Sequence, residues 1–383
     1  MKTVVVMDSF KESLTSEEAG EAVRRGILAA DGDAEVLVYP FADGGEGTVD
    51  AFCAADKGSR KIRVPVSDPV GRTIEAEYAI LGDGSVVIEI AQAAGLCLLA
   101  DDERDPLGTT TRGVGQLIRH ALEGGYRQFI IAIGGSATND CGIGMLQELG
   151  FGILDAKGAP VGAGAAGMSL VKNVTIDNAL PHLTDCSFTI ACDVTNPLCG
   201  DNGASRVFSP QKGASAAQAE LMDRWMEDYA RIVQSVLPGA DPAAKGAGAA
   251  GGLGFALQAF LGGRMISGAE VLLDRCGIGQ EIASADLVIT GEGRIDGQTA
   301  MGKAPARIAA AAKKYNKPVI AIGGCLTKDA VNCHAAGIDA VFPIVPDPLS
   351  GAEAMNKDTA KENIARTACE LARLIHQFII NPV

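Results

Sequence analysis

The sequence predicts an α/β protein with two domains, one of them a doubly wound parallel-sheet domain. Short apolar runs alternate with segments of helical periodicity at both ends of the chain, which is typical of strand–helix repeats. In the middle, two strand-like runs are separated by Gly82, Asp83 and Gly84, which indicates a β-hairpin. A chain of 383 residues is also too long for one ordinary hydrophobic core.

The first strand–helix junction places polar side chains in a loop. Residues 3–7 are valine-rich and predict a buried strand, and a capping box that starts at Thr15 predicts the start of a helix. Ligands of open α/β sheets bind beyond the carboxyl ends of the strands. We therefore expect a ligand loop that contains Asp8, Ser9 and Lys11, with an ordinary β–α turn as the alternative.

The second junction is rich in glycine and acid. A strand over residues 35–39 leads to residues 43–47, which we call the acidic glycine loop, and a helix follows over residues 49–55. Glycine reaches positive φ and lets a ligand approach the backbone, and carboxylates suit Mg²⁺ or substrate hydroxyls. The predicted binding residues here are Asp43, Gly44, Gly45, Glu46 and Gly47.

A third strand over residues 61–66 completes the first repeat, and the hairpin then begins. Later in the chain, a strand over residues 128–133 leads to residues 134–140, which we call the serine loop, at the start of a helix. Free N–H groups at a helix N-terminus with flanking hydroxyls favour phosphate, although a well-capped helix is the alternative. The residues predicted here to bind nucleotide are Gly134, Gly135, Ser136, Thr138, Asn139 and Asp140.

A long polar loop over residues 192–214 follows a strand-like run. Asp193 and Asn196 lie at the strand end, and Gln211 and Lys212 close the loop. A carboxylate at a strand end can take a proton from an alcohol or hold a metal. Loops with several separate polar groups are often functional.

Residues 286–305 combine a strand with a polar loop and a helix. The apolar run over residues 287–290 is followed by Glu292, Arg294 and Asp296, and then by Lys303. The segment fits GxxxxGK, but the next residue is alanine, so the Mg²⁺-binding hydroxyl of a P-loop is missing. The segment predicts one wall of a phosphate or substrate site and does not qualify as a P-loop.

The strand–helix rhythm then returns up to a long amphipathic helix over residues 358–379. We infer a flavodoxin- or Rossmann-like domain formed by residues 1–66 and 285–383, with a mixed α/β domain inserted over residues 67–284. The expected ligand site is the cleft between the two domains.

Composition excludes several classes of function. The net charge of −14 disfavours nucleic acid and anionic membranes as partners. The N-terminal apolar run is too short for a signal peptide, and ten cysteines without CxxC pairs favour a reduced, cytoplasmic protein. Two GxGxxG matches, at residues 162–167 and 246–251, lack the strand and acidic partner of a dinucleotide site, so NAD binding is not expected.

Seven ordered motifs give the sequence a family resemblance. They are DSFKESL, ADGGEGT, GGSATND, ACDVTNPL, PQKGA, GAAGGLG and ITGEGRIDGQT. This set resembles class I glycerate kinases, which phosphorylate D-glycerate with ATP and Mg²⁺, commonly at the 2-hydroxyl, in the cleft between two α/β domains. Glu12 and Cys141 stand where that family often has glycine.

The resemblance implies an ATP-dependent glycerate kinase, and we assign roles as hypotheses. Asp193, Lys11 and Lys303 are the expected catalytic residues. Asp8, Ser9, the acidic glycine loop, Asn196 and Arg294 are placed around the substrate, and the serine loop with Gln211 and Lys212 around the nucleotide. Asp43, Glu292 and Asp296 are the expected Mg²⁺ ligands.

Three alternatives and one question remain at this point. The same kinase could act on the 3-hydroxyl, since the two hydroxyls are adjacent. A non-catalytic metabolite or nucleotide sensor is the second alternative, but the loops keep their acids. An NAD-linked oxidoreductase, the third, lacks its fingerprint. The oligomeric state, monomer or homodimer, is open.

Overall fold

The computed structural model describes residues 1–10, 13–42, 44–346 and 349–377. The strands in these residues are β1 Lys2–Met7, β2 Glu35–Pro40, β3 Arg60–Ser67, β4 Thr73–Ile80, β5 Val86–Glu89, β6 Gln128–Ala132, β7 Gly152–Leu154, β8 Asn173–Thr175, β9 Ser187–Ala191, β10 Arg264–Ile266, β11 Leu287–Ile295, β12 Val319–Leu326 and β13 Ala340–Pro343. The α-helices are α1 Ser16–Ala30, α2 Thr48–Ala55, α3 Ala91–Ala94, α4 Arg112–Glu123, α5 Ile143–Glu148, α6 Gly164–Met168, α7 Ala204–Phe208, α8 Ala216–Val236, α9 Leu253–Leu261, α10 Gly268–Arg275, α11 Ile278–Ser284, α12 Gly297–Ala300, α13 Ala304–Lys313, α14 Gly351–Met355 and α15 Lys357–Ile375. None of these helices is both long and apolar enough to cross a membrane.

The chain forms two compact units. The terminal unit consists of Met1–Asp43 and Ala269–Val383, and the inserted unit of Gly44–Gly268. This confirms the predicted fold class, a doubly wound parallel-sheet domain built from both termini with an α/β insertion. The unit boundaries differ from the residues expected at 66 and 285, because β3 pairs along its whole length with β4 and so belongs to the inserted sheet.

The terminal unit contains a five-stranded sheet in the order β2-β1-β11-β12-β13, and every pair is parallel. This is the flavodoxin-like order, whose switch point lies between the first and third strands of the unit, here β1 and β11. Alternate residues of β1 divide between two faces: Val5 and Met7 join the core under α1 and α15, while Val4 and Val6 are buried outside that core. Strand alternation therefore lets helices cover both faces.

The switch point brings two predicted loops of the terminal unit together. The Asp8 backbone N–H donates to the Gly291 carbonyl at 2.9 Å, so the loop after β1 begins beside the middle of β11. Strand β11 is longer than the expected 287–290, because Arg294 remains in register with Cys325 of β12. Arg294 thus lies on a strand and not in a loop.

The inserted unit has a six-stranded sheet in the order β10-β9-β6-β5-β4-β3. Strands β5, β6, β9 and β10 are parallel. The predicted hairpin joins β4 to β5 in antiparallel pairing, and β3 pairs antiparallel with β4. Glu89 pairs with Ala132, which in turn pairs with Ala191. The loops after β5, β6 and β9 therefore leave the sheet side by side at one edge.

We predict that Gly26→Ala destabilises the terminal unit. A Cβ atom at Gly26 of α1 would lie 2.1 Å from the Ala365 carbonyl oxygen of α15, so the two helices would have to separate. Overpacking of this kind costs about 1–3 kcal/mol, partly offset by the higher helix propensity of alanine. Thermal unfolding should show a lower Tm.

Gly32→Ala is the matched control for this substitution. Its nearest heavy atom would be the Leu28 carbonyl oxygen at 4.0 Å, an ordinary contact. The idea of a close helix contact is contradicted if Gly26→Ala leaves the Tm no lower than Gly32→Ala does.

Candidate functional site

In the inserted unit, residues 44–47 of the acidic glycine loop pack backbone to backbone on the ends of β6 and β9. The Gly134 N–H donates to the Gly44 carbonyl at 2.8 Å. A Cβ atom at Gly44, whose φ is +92°, would lie 2.6 Å from the Ala191 carbonyl oxygen, and one at Gly134 would lie 2.5 Å from the Gly45 Cα. The glycines are therefore required by contact as well as by φ. Asp43, the first residue of this loop, lies outside the described residues.

Glu89, which was not among the predicted site residues, contacts the start of the helix that follows this loop. Its Oε2 accepts a hydrogen bond from the Val49 N–H of α2 at 3.3 Å, and the Gly47 N–H lies close enough to lower the pKa of this carboxyl. The side chain is only 2% exposed. The available signal was a carboxylate within an otherwise apolar strand run, residues 86–90.

Burial dominates the electrostatics of Glu89 and raises its pKa to about 7. The nearby acids Glu46 and Asp50 raise the pKa further, while the hydrogen bonds from Val49 and Gly47 oppose the shift. Such a strongly shifted acid beside a ligand loop is a candidate functional group.

The serine loop differs from expectation at its end. Helix α5 starts only at Ile143, and the fully buried Asp140 accepts hydrogen bonds from the N–H groups of Gly142 at 3.0 Å and Gly144 at 3.4 Å. The Thr111 N–H and hydroxyl also donate to Asp140, both at 2.9 Å. Burial raises the pKa of Asp140. The expected free N–H groups are therefore occupied by the protein's own carboxylate, so this helix end offers no evident phosphate site.

Lys212 lies beneath the same loop. Its Nζ donates to the Ser136 hydroxyl at 2.9 Å and to the Thr138 carbonyl at 2.7 Å, and the side chain is 2% exposed. Burial lowers the pKa of Lys212 to about 7, against a smaller opposing effect of Asp140. Lys212 and the serine loop, both predicted to bind nucleotide, are therefore in contact. In this contact, Lys212 supports the loop from inside the protein.

The remaining predicted nucleotide residues divide by exposure. Thr138 and Asn139 are completely buried, and the Asn139 Nδ2 donates to the Ser205 hydroxyl at 2.9 Å. Gln211 is exposed. In this loop, Gly134 and Gly135 are the accessible residues, whereas Ser136 is only 8% exposed and accepts a hydrogen bond from Lys212.

Asp193 follows the end of β9, at the same sheet edge as Glu89. It is half-buried. Three residues on, Asn196 closes its own loop: its Nδ2 donates to the Asn202 carbonyl at 2.8 Å, and its carbonyl accepts from the Gly248 N–H at 3.0 Å. Asp193 lies just beyond the strand end, and its role stays a prediction, whereas the Asn196 side chain contacts its own loop.

The glycine- and alanine-rich segment at residues 246–252 packs between these loops. A Cβ atom at Gly248 would lie 2.2 Å from the Pro197 carbonyl oxygen, and one at Gly251 would lie 2.1 Å from that of Thr138. The Gly251 carbonyl accepts from the Cys141 N–H at 3.0 Å. Cys141 has a φ of +51°, which explains why glycine suits that position.

In the terminal unit, the first loop is locally ordered by Asp8. The Ser9 N–H donates to the Asp8 Oδ1 at 2.7 Å, and both residues are partly buried. A carboxylate and a hydroxyl thus lie at the switch point of the sheet. Lys11 lies outside the described residues.

The 286–305 segment carries two predicted carboxylates. The Glu292 Oε1 accepts from the buried Thr299 hydroxyl at 2.6 Å. The Asp296 Oδ1 caps α12 by accepting from the N–H groups of Gln298 at 2.9 Å and Thr299 at 3.2 Å, and it lies 3.6 Å from the Lys303 Nζ. Thr299 therefore links the two acids.

Arg294 is exposed on β11, close enough to Asp329 to influence it. The pKa of Asp329 is lowered chiefly by a hydrogen bond from the Thr327 hydroxyl and also by the charge of Arg294. Asp329 accepts from the Gly297 N–H at 3.0 Å and so supports the start of α12. The exposed guanidinium is suited to a carboxylate ligand.

The predicted metal ligands fit Mg²⁺ if waters and substrate phosphates complete its coordination. The described residues contain no group of three or more His, Cys, Asp or Glu that could hold a metal. Mg²⁺ usually takes one or two carboxylates with waters and substrate phosphates. Glu292 and Asp296, which Thr299 links, supply two carboxylates of the kind that such a site uses.

Comparisons with known proteins agree with one another. A model of the glycerate kinase family matches residues 3–376. The glycerate 2-kinase of Escherichia coli (strain K12) is 46% identical over 97% of both chains, and the glycerate kinase of Bacillus subtilis (strain 168) is 43% identical over 98% of both. A crystal structure from Salmonella typhimurium LT2, described as a candidate glycerate kinase 2, has a TM-score of 0.87 at 43% identity and covers 98% of both chains.

We predict a pH-dependent stability contribution from Lys212. Because its pKa is lowered from 10.5 to about 7, the unfolded state binds more protons than the native state between those values. The contribution of Lys212 to the free energy of unfolding should therefore rise with pH across that window. Urea unfolding of wild type and Lys212→Met between pH 6 and 10 should show a difference that shifts in favour of the wild type.

Lys245→Met removes an exposed lysine of the same unit and is the matched control. Its difference from wild type should stay flat over the same range. A flat difference for Lys212→Met as well would contradict the lowered pKa.

Proposed function

The chain belongs to the glycerate kinase family, and on this premise we propose that it transfers the γ-phosphoryl group of ATP to the 2-hydroxyl of D-glycerate, giving 2-phosphoglycerate and ADP. The observation that carries the proposal is the 46% identity to a glycerate 2-kinase over 97% of both chains. The same kinase acting on the 3-hydroxyl is the second candidate, because the residue types suit either of two adjacent hydroxyls.

Phosphoryl transfer requires positioning and compensation of charge more than covalent chemistry by the protein. In our proposal, Asp193 accepts the proton of the glycerate hydroxyl as phosphate is transferred. Its support is a carboxylate at the end of β9, beside the acidic glycine loop and the serine loop. Lys11 and Lys303 would offset the phosphate charge, and Arg294 would bind the glycerate carboxylate through two parallel hydrogen bonds.

The ligand loops receive roles in this proposal. Asp8, Ser9, the acidic glycine loop and Asn196 are assigned to glycerate. The Gly134, Gly135 and Ser136 portion of the serine loop is assigned to nucleotide phosphates. The proposed nucleotide element also includes Gln211 and Thr138. Its internal supports are Asn139, Asp140 and Lys212.

Mg²⁺ is proposed as the cofactor, held by Glu292 and Asp296 together with Asp43. When bound, it would neutralise charge on the phosphates. The cytoplasmic location and the oligomeric state, monomer or homodimer, stay predictions. A non-catalytic sensor is disfavoured because the family assignment covers the whole set of polar loops.

A coupled ADP-release assay tests the reaction. ADP should form with D-glycerate and ATP in the presence of Mg²⁺, and EDTA should abolish the signal because the phosphate charges are no longer neutralised. Phosphorus and proton NMR of the product should give 2-phosphoglycerate. A 3-phosphoglycerate spectrum would establish the second candidate, and ATP turnover that is independent of glycerate would contradict both.

Asp193→Asn should lower kcat by about 10²-fold or more, in the range of the loss of a general base. The amide keeps the size of the side chain but cannot accept the proton. Asp201→Asn, an exposed acid in the same 192–214 loop, is the control and should keep wild-type turnover. A near-wild-type kcat in Asp193→Asn would contradict the role of Asp193 as the general base.

A further inference from the structure

Glu89 is a buried acid that the proposed mechanism does not use. It ends β5 in register with Ala132 of β6, so it lies at the sheet edge from which the serine loop and the Asp193 loop also depart. The charged side chains that affect it most are Glu46 and Asp50, and both are acids. A carboxyl group buried among acids lowers the stability of the fold. Its presence therefore indicates a structural or functional role.

The geometry of Glu89 identifies that role. Its carboxyl accepts a hydrogen bond from the Val49 N–H at the start of α2, beside the N–H of Gly47. Gly47, the N-cap residue, has no side chain that could cap the helix, and its φ is +86°. The acceptor that the helix start requires is therefore supplied by a distant strand, and this contact anchors the end of the acidic glycine loop to the sheet.

The contact also limits what the loop can bind. A glycine loop that opens a helix is an arrangement that commonly receives phosphate. Here Glu89 accepts from the Val49 N–H from inside the protein, and Glu46 and Asp50 add negative charge nearby. Both effects make this loop less suited to a phosphate than to the hydroxyl groups of a small ligand.

We propose that Glu89 is a positioning residue that holds the acidic glycine loop for glycerate, acting as the hydrogen-bond acceptor for α2. The role requires an acceptor and no negative charge. The part of this inference that concerns glycerate rests on the proposed function, whereas the part that concerns the loop does not.

Two variants separate the acceptor from the charge. Glu89→Gln keeps an acceptor, so its KM values for D-glycerate and ATP should stay within about threefold of wild type at pH 6 and pH 8. Glu89→Leu removes the acceptor and should raise the KM for D-glycerate by about tenfold or more, the effect of one lost hydrogen bond, with the KM for ATP little changed. Ser215→Ala, which removes the side-chain cap of α8 in the same unit, controls for general helix destabilisation.

Amide hydrogen exchange gives a readout that does not depend on activity. Exchange over residues 44–50 should accelerate in Glu89→Leu, and it should remain at the wild-type rate in Glu89→Gln and Ser215→Ala. Failure of wild-type turnover with D-glycerate would reject the proposed function, and the exchange data would still decide the role of Glu89.

Two outcomes would overturn the inference. One is wild-type exchange over residues 44–50 in Glu89→Leu. The other is a loss of glycerate affinity in Glu89→Gln of about tenfold, which would show that the charge itself is required. If Glu89→Leu does not fold, the result with Glu89→Gln alone decides between acceptor and charge.

Discussion

Internal carboxylates at helix starts determine the form of the polar loops. Glu89 holds α2, Asp140 holds α5, and Asp296 holds α12. Each takes N–H groups that would otherwise need water or a ligand. The loops before these helices are therefore shaped by the protein itself, and glycine contacts such as that of Gly134 against Gly45 fix them further. Preformed loops of this kind reduce the ordering required when a substrate binds.

Much of the fold can be predicted from the sequence because the patterns that specify helices and strands are local. The capping box at Thr15 starts α1 as expected, and the valine-rich residues 3–7 fall within β1. The sequence predicted β3 in the sheet of the terminal domain, but β3 belongs to the inserted sheet. The sequence of a single strand does not indicate its partner, and Ile62 lies opposite Tyr78 of β4 only once the chain has folded. The length of β11 was missed for the same reason, since Arg294 is held in the strand by its pairing with β12.

The candidate site was legible in its loops more than in its individual side chains. Ser136 and Asp140 belong to one short motif, but the first contacts Lys212 while the second is wholly buried against two helix starts. Residue type and spacing do not reveal which way a loop side chain points. Glu89 was not predicted because it lies within an apolar strand run and not in a polar loop. A carboxylate in an apolar run is a signal that such reasoning can use, since burial of an acid is costly.

The order of the strands has a consequence for synthesis on the ribosome. Strand β1 lies between β2 and β11, and α1 packs against α15, so the first 43 residues cannot complete their unit until the last 115 have emerged. The inserted unit is contiguous and can finish first. At about 5–20 residues per second, roughly 15–55 seconds pass between the synthesis of β1 and that of its partner β11. During that interval the apolar faces of β1 and α1 are incomplete, and the nascent chain is a natural client for chaperones that shield exposed strands.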